Sequence, residues 1–392
     1  MTKGNVAKKA VVIIPTYNER ENIKIIVPVL LDVFKTIEDW QMEILVVDDT
    51  SPDKTYEAVE KLSKKYKQVH LLVNKRKAGL GAAYLKGMDH AFHKLEADVV
   101  FEFDADFSHD PKKIPNFLKK IDEGYDLVLG SRYVPGGSIP QNWGLHRKFL
   151  SVFGNLFIMF VMTNFKIKDW TGGYRALTKK TYDAVHPELN SQRFSGYTFQ
   201  IGFLHTALRK GFKVAEVPFH FIDREIGVSK LGPEYIKNIM LFIVKARLQE
   251  IINHRIFKFA FVGGIGALIQ LSSLTLLRQL IVYDLAFFLA IEMAVVSNFI
   301  LNNLWTFSDR RLKFSQIPVK FVQFNLASAG SIIIQQIIGS GGKFFIGLKD
   351  LFTLPIIGFT IDTGLVFAVV GILIGMFWNF FAYSTFIWKK KK

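Results

Sequence analysis

From Ile256 onward the sequence is dominated by long apolar runs, at about Phe257 to Leu277, Leu285 to Trp305, Phe321 to Ile338 and Ile361 to Tyr383. A helix crossing the hydrocarbon of a bilayer needs roughly 20 mainly apolar residues, so these runs read as four membrane spans. The preceding part is different: short strand-like and helix-like segments alternate there, and charges are frequent. One chain therefore combines an α/β domain, expected over 1–232, with an all-α four-helix transmembrane domain over 256–392. Between them, 233–255 places Ile236, Ile239, Met240 and Ile243 at helical spacing with Lys237, Lys245 and Arg247 elsewhere on the wheel, the pattern of an amphipathic linker on a membrane surface.

Charge narrows the partners. Fifty Lys and Arg against 34 Asp and Glu give a net charge of +16, which suits nucleic acid or an anionic membrane surface. Beside the apolar second half, a bilayer and phosphate-bearing ligands are favoured and no nucleic-acid partner is expected. The chain has no cysteine, so disulfides and thiolate metal sites are excluded. Arg255, Lys258, Arg310, Arg311, Lys313 and Lys389 to Lys392 fall on one side of the four spans, and Arg278, Lys343 and Lys349 on the other. The positive-inside rule then places the first domain and both termini in the cytoplasm. The only early apolar run, Val11 to Ile14, is too short for a signal peptide, in keeping with that orientation.

Within the first domain, Ala10 to Pro15, Ile44 to Val47, Val69 to Val73, Val99 to Phe103 and Phe212 to Pro218 read as strands, with helix-length segments at about Glu21 to Lys35, Tyr56 to Lys65 and Leu80 to His93. Repeated βα units bring the carboxyl ends of parallel strands to one edge of a sheet, where open α/β folds bind ligands. That edge collects Pro15, Tyr17, Glu19, Asp48, Asp49, Asp104 and Asp106.

The chemically pointed stretch is Phe101-Glu-Phe-Asp-Ala-Asp106, followed by Phe107-Ser-His-Asp-Pro111. Side chains two apart on extended backbone share a face, so Asp104 and Asp106 aim to the same side. Two carboxylates held there repel each other and suit a hard divalent cation bridging to phosphate. The alternative is a solvated turn whose aspartates cap the next helix. Gly79-Leu-Gly81 is not a dinucleotide fingerprint and no Walker lysine occurs, so a nicotinamide cofactor is not expected; Lys77 is either a phosphate contact or a surface charge.

Four motifs together, Ile14-Pro-Thr-Tyr-Asn-Glu19, Val46-Val-Asp-Asp-Thr-Ser-Pro-Asp53, Asp104-Ala-Asp106 and Gly130-Ser-Arg-Tyr133, resemble the inverting glycosyltransferases of family 2, which have the GT-A fold, a Rossmann-like mixed sheet. Gly130 to Gly137, Asn142-Trp143 with Arg147-Lys148, Thr171-Gly-Gly-Tyr-Arg175, and Glu216-Val-Pro218 leading to Arg224 to Leu231 resemble the dolichol- or polyprenol-phosphate mannosyltransferases more narrowly. The resemblance covers about residues 10–231. It implies that Pro15, Tyr17, Glu19, Val47 and Asp49 hold the nucleoside, and that Asp104, Ala105 and Asp106 hold diphosphate and a metal, Mg²⁺ or Mn²⁺. Ser108 takes the place of a third metal ligand that is glutamine in some relatives. Arg132 would engage the sugar-phosphate region, Arg224 and Lys230 would fold over the diphosphate and the incoming phosphate, and Arg147 and Arg175 would meet the acceptor-lipid phosphate. Gly227 would let that loop move. The second half resembles the GtrA-like membrane module, notably in Asn302-Asn-Leu-Trp-Thr-Phe307.

Phe149 to Thr163 is apolar but too short to span, and spanning would separate Arg175, Arg224 and Lys230 from Asp104. A helix lying at the membrane surface, with Arg147, Lys148, Lys166 and Lys168 at its ends, is preferred over a buried core helix. In the membrane half, Lys258-Phe259 and Lys320-Phe321 each open a two-helix unit whose second helix carries Asn298-Phe299 or Asn379-Phe380, an internal duplication. Asn298 and Asn379 are expected to pack helices, Gln270 to do so or to line a lipid path, and Glu292 to be functional.

The expected activity is transfer of mannose from GDP-mannose to dolichyl or polyprenyl phosphate, with inversion. The alternatives are glucosyl transfer from UDP-glucose to the same kind of lipid, and movement of lipid-linked sugar by the membrane half. A processive polysaccharide synthase would need a Gln-x-x-Arg-Trp motif, which does not occur.

Overall fold

The structure is a computed structural model and describes residues 8–75, 79–190, 197–223, 233–354 and 359–389. Two compact units divide the chain, Met1–Arg247 and Leu248–Lys392. In the first unit β1 (Lys8–Thr16), α1 (Arg20–Phe34), β2 (Trp40–Asp48), α2 (Thr55–Lys65), β3 (Val69–Val73), α3 (Leu80–His93), β4 (Val99–Glu102), α4 (Ile114–Asp122), β5 (Leu127–Ser131) and α5 (Leu145–Val161) are followed by β6 (Arg175–Thr178), α6 (Lys179–Asn190), α7 (Tyr197–Arg209), β7 (Val214–Pro218) and most of α8 (Pro233–Asn253), whose last residues belong to the second unit. The sheet runs β3-β2-β1-β4-β6-β5-β7. Strand β6 is antiparallel to both neighbours, while the other pairs are parallel.

Ala10 to Ile14 are wholly buried, as a central strand covered on both faces requires. Alternate residues feed two cores. Val11, Ile13, Leu45, Val47 and Val100 pack with Tyr84, Met88 and Phe92 of α3; Val12, Ile14, Ile44, Val46 and Phe101 pack with Ile23, Ile26 and Leu30 of α1 and Phe117 of α4. Each such aliphatic side chain contributes about 1.5–3 kcal/mol by leaving water. Helix α3 lies close enough to the sheet that a Cβ on Gly87 would come within 2.7 Å of Ile13 Cγ2, so a glycine is needed there.

The chain winds outward from β1 through β2 to β3, then returns to place β4 on the other side of β1. The order therefore reverses between β1 and β4, and the crevice beyond their carboxyl ends is the place such sheets reserve for a ligand. Periodicity alone did not indicate β5 or β6. The four residues of β6 are inserted between β4 and β5 and turn a parallel sheet into a mixed one.

Helix α5 has one buried face and one bare face. Asn155, Ile158 and Met159 are buried, whereas Leu145, Phe149, Phe153, Leu156 and Phe160 are bare, Phe149 at 63% and Phe160 at 73% exposure. Helix α8 likewise sinks Ile243 into the core and bares Leu241 and Val244, and Arg247 donates to Thr163 Oγ1 at 2.9 Å.

The second unit holds α9 (Arg255–Leu277), α10 (Tyr283–Leu301), α11 (Ile317–Phe345), β8 (Asp350–Leu354), β9 (Phe359–Asp362) and α12 (Thr363–Ala382). Among the described residues, the helices over Arg255–Leu277, Phe314–Phe345 and Val369–Ile387 are long and apolar enough to cross a membrane. An antiparallel hairpin, β8 with β9, occupies the start of the expected fourth span, so α12 begins at Thr363. Its hydroxyl donates to Gly347 O and accepts from the Lys349 amide, which closes the hairpin base.

The repeat has a structural counterpart. Helices α10 and α12 both end in a π-helical turn, Asn302–Thr306 and Tyr383–Ile387, in the register that pairs Asn298 with Asn379. Each turn is closed by an aromatic residue: the Phe307 amide donates to Asn302 O and the Trp388 amide to Tyr383 O, both at 2.8 Å. The two closing rings stack 4.7 Å apart and 4° from parallel, and Trp388 Nε1 donates to Asn303 Oδ1. Asn379 donates to Ser331 Oγ of α11 at 3.1 Å, and the Asn298 amide lies against Gly266 of α9, so both asparagines join helices. Glu292 lines a groove of about 540 Å³ with Ile269, Met293 and Ser297.

Candidate active site

The nucleoside end is built from the loops after β1 and β2. Pro15 is in register with Val47 and Thr16 with Asp48, so the two strands leave the sheet side by side. Asp48 is fully buried and structural: it accepts from the Ser51 amide at 2.9 Å, Ser51 Oγ at 2.6 Å and Thr16 Oγ1 at 2.9 Å. Ser51 Oγ in turn accepts from the Asn18 amide and Thr55 Oγ1 from the Glu19 amide. Those bonds pin the loop carrying Pro15, Tyr17 and Glu19 to the loop carrying Asp49. Asn74, at the end of β3, donates to Asp49 Oδ1 at 2.6 Å. The five nucleoside residues expected from the sequence thus lie at one edge, Pro15 and Val47 at the ends of β1 and β2 and Tyr17, Glu19 and Asp49 on the two cross-braced loops that follow.

The Asp-x-Asp turn sits where β4 leaves the sheet beside β1. Phe107 adopts a left-handed conformation, φ 62°, uncommon for a bulky residue. That bend lets the Ser108 amide donate to Asp106 Oδ1 at 3.1 Å. It also returns the His109 ring to the strand end, where Nδ1 accepts from the Asp104 amide at 3.1 Å. Capping of the following turn falls to Asp110, whose carboxylate accepts from the Lys112 amide. Asp104 is 37% exposed on its side chain, and its Oδ1 accepts from Tyr84 OH at 3.0 Å. Ala105 is buried.

A divalent cation fits this donor set. Two hard carboxylates lie one residue apart at the crevice, and the buried Ser108 Oγ has no hydrogen-bond partner. Among the described residues no group of three or more His, Cys, Asp or Glu side chains could hold a metal. Oxygen ligands beyond the protein's own would have to come from phosphate and water, the usual habit of Mg²⁺.

Arg132 follows β5 and is clamped to Asp169: Nε to Oδ2 and Nη2 to Oδ1, both at 2.8 Å, with Nη2 also donating to Thr171 Oγ1. Burial opposes ionisation of Asp169, but the guanidinium outweighs it and holds the carboxyl below its usual range. Burial likewise keeps the His109 imidazole below its usual value, against the opposing pull of Asp104 and Asp106.

Arg147 forms an ion pair with Asp223 at 2.9 Å and lies 3.9 Å over the Trp143 ring, whose Nε1 also donates to Asp223. It is thereby tied to the residue that leads into the basic loop. Arg224, Gly227 and Lys230 in that loop, and Lys77, lie outside the described residues. The expectation for Arg175 is corrected. This arginine is wholly buried and donates to the carbonyls of Gly172, Gln200 and Trp170, so no acceptor phosphate reaches it. It shares the interior with Glu102, which burial pushes up to about 7 against the opposing charge of Arg175 and a hydrogen bond from Gln200.

Sequence reasoning missed Asp169, Tyr84, His109 and Gly173. Asp169 precedes the Thr171 to Arg175 motif by two residues, Gly173 lies within it and His109 follows the Asp-x-Asp, so position in or beside a motif was the available signal. Tyr84 carried none, being a buried aromatic on a helix face.

Known proteins agree with this two-part layout. Residues 11–185 match the family model described as glycosyl transferase family 2, and residues 258–388 match that of the GtrA/DPMS transmembrane domain. The dolichol-phosphate mannosyltransferase of Pyrococcus furiosus is 34% identical over 336 residues, covering 84% of this chain and 89% of its own length. The chain belongs to the dolichol-phosphate mannosyltransferase family. Two further relatives in this family match the catalytic part: the polyprenol monophosphomannose synthase of Mycolicibacterium smegmatis, 40% identical over 61% of this chain and 86% of its own, and the undecaprenyl-phosphate mannosyltransferase of Micrococcus luteus, 37% identical over 57% and 88%. The chain is a glycosyltransferase with a GT-A-like mixed-sheet domain followed by a helical membrane domain.

Proposed function

We propose that this enzyme transfers mannose from GDP-mannose to a dolichyl or polyprenyl phosphate at the cytoplasmic face of a membrane, with inversion at the anomeric carbon. The observation that carries the reading is the Asp104 and Asp106 pair at the β1/β4 crevice, in a chain that spans nearly the whole length of a dolichol-phosphate mannosyltransferase. The two braced loops of Pro15 to Glu19 and Asp48 to Thr55 would hold the nucleoside, with Asp49 and Glu19 offering acceptors to base and ribose. Asp104, Asp106 and Ser108 would hold Mg²⁺ or Mn²⁺, which when bound offsets the charge that builds on the departing diphosphate.

The acceptor phosphate is anionic at neutral pH, so no side chain has to remove its proton. The protein's work is to bring two anionic reactants into line and keep water out. Arg224 and Lys230 would screen their repulsion from the loop after Asp223, whose start Arg147 steadies, while Arg132, held by Asp169, would engage the sugar-phosphate region. In the proposed orientation α10 is a fourth span, both termini are cytoplasmic, and the bare faces of α5 and α8 rest on the bilayer surface. The domain limits are 1–232, 233–255 and 256–392.

The test is transfer of labelled sugar to polyprenyl phosphate by the full chain in detergent, from GDP-mannose and from UDP-glucose in parallel, with Mn²⁺ or with EDTA. Metal-dependent lipid product from GDP-mannose supports the reading. Product from UDP-glucose alone moves the enzyme to glucosyl transfer, and equal rates in EDTA remove the metal.

A further inference from the structure

The two aspartates are held by different means. Asp106 is fixed locally, by the Ser108 amide two residues on. Asp104 is fixed from elsewhere in the fold. Its Oδ1 accepts from Tyr84 OH at 3.0 Å, and Tyr84 is a fully buried residue of α3, 20 positions earlier in the helix that precedes β4. Its Oδ2 lies 3.8 Å from His109 Nε2, and its main-chain amide donates to Nδ1 of the same ring.

One imidazole thus faces both the backbone and the side chain of one residue. Because Nδ1 accepts the Asp104 amide, the proton of the neutral ring is on Nε2, the nitrogen nearer the carboxylate. The ring has little room to turn: it stacks on Tyr174 at 4.8 Å and 11°, with Phe103 and Phe219 edge-on at 5.5 and 6.1 Å. Tyr84 is held flat against Phe199. A carboxylate on a strand end normally samples several orientations about its two side-chain torsions, and a ligand site gains affinity when that search is removed beforehand.

We propose that Tyr84 and His109 are positioning residues that hold the Asp104 carboxylate in one orientation for a divalent cation, an inference resting on the metal reading above. Neither touches substrate. Their effect is on cation affinity, through the geometry of Asp104.

The experiment titrates Mn²⁺ into the purified full chain in detergent with GDP present, following loss of the free-ion electron paramagnetic resonance signal. Tyr84→Phe removes one oxygen and keeps the packed ring; His109→Asn keeps an acceptor for the Asp104 amide but withdraws the group facing the carboxylate. Both variants are expected to bind Mn²⁺ about 10- to 100-fold more weakly, the usual cost of losing an outer-shell partner. GDP affinity in EDTA and melting temperature in EDTA should stay at wild-type values for Tyr84→Phe. Wild-type Mn²⁺ affinity in both variants overturns the positioning role and leaves the metal reading intact. A wild-type protein that binds no Mn²⁺ overturns the metal reading, and the positioning role with it.

Discussion

Arg132 and Asp169 meet through two parallel N–H···O bonds of 2.8 Å, and the Arg132 amide donates to the same carboxylate at 3.1 Å. This ion pair ties the end of β5 to the segment that enters β6. The Asp169 carboxylate is fully buried and the Arg132 side chain nearly so. Removing one partner leaves the other charge stranded, at a cost of about 3–5 kcal/mol. Asp169→Asn should therefore lower the melting temperature by several degrees or prevent folding. Arg132→Lys should not restore it, because an ammonium lacks the two-pronged geometry. An unchanged melting curve for Asp169→Asn would contradict this account.

Asp106 acts on the ligand side of the turn. Asp106→Asn keeps an oxygen for the Ser108 amide, so the fold should persist while sugar transfer falls to background. The check is a melting curve beside a transfer assay, and full activity at saturating Mn²⁺ would remove Asp106 from the metal set.

Gly173 bears on the space above Asp104. A Cβ there would lie 3.7 Å from His109 Cε1 and 3.9 Å from Asp104 Oδ2. Gly173→Ala should fit with little strain, whereas Gly173→Leu would carry its side chain into the cation position. The expected outcome is near-normal Mn²⁺ binding for alanine and at least a tenfold loss for leucine, at similar melting temperatures.

Glu102 gives a pH dependence of stability. Its folded-state value is pushed up from 4.5 to about 7 by burial, so between those values the folded chain keeps a proton that the unfolded chain releases. The contribution is fully present below about pH 4.5 and is lost as pH rises through about 7, an effect on the order of 3 kcal/mol. Melting temperature should fall between pH 5 and pH 8 from this group, and Glu102→Gln, neutral throughout, should flatten that slope. A slope of the same size in the variant would assign it to other groups.

The Asp-x-Asp and its strand were readable because both rest on local rules: an apolar run, two-residue alternation and a strand end. The same rules place β1, β2, β3 and their helices. Strand β6 escaped because four residues carry no period, and its direction is set by neighbours distant in sequence. Arg175 was misjudged for a related reason. Its motif suggested a ligand, but the three carbonyls that hold it come from Gly172, Gln200 and Trp170, and burial is not written in a motif. Tyr84 and Asp169 act across 20 and 37 positions, so only the folded chain brings them to their partners.

The stacked rings of Phe307 and Trp388 set a condition on how the membrane domain can be divided. Each ring closes one helical pair, yet part of the surface that shelters it belongs to the other pair: Phe307 packs on Phe380 and Trp388, and Trp388 on Phe299 and Phe307. Expressed alone, either two-helix half would present an unsheltered aromatic lid at its end, and its nearest substitute would be the lid of a second copy related by a two-fold axis. The halves are therefore expected to be soluble in detergent as pairs of like or unlike copies, which a size-exclusion profile of each half would show.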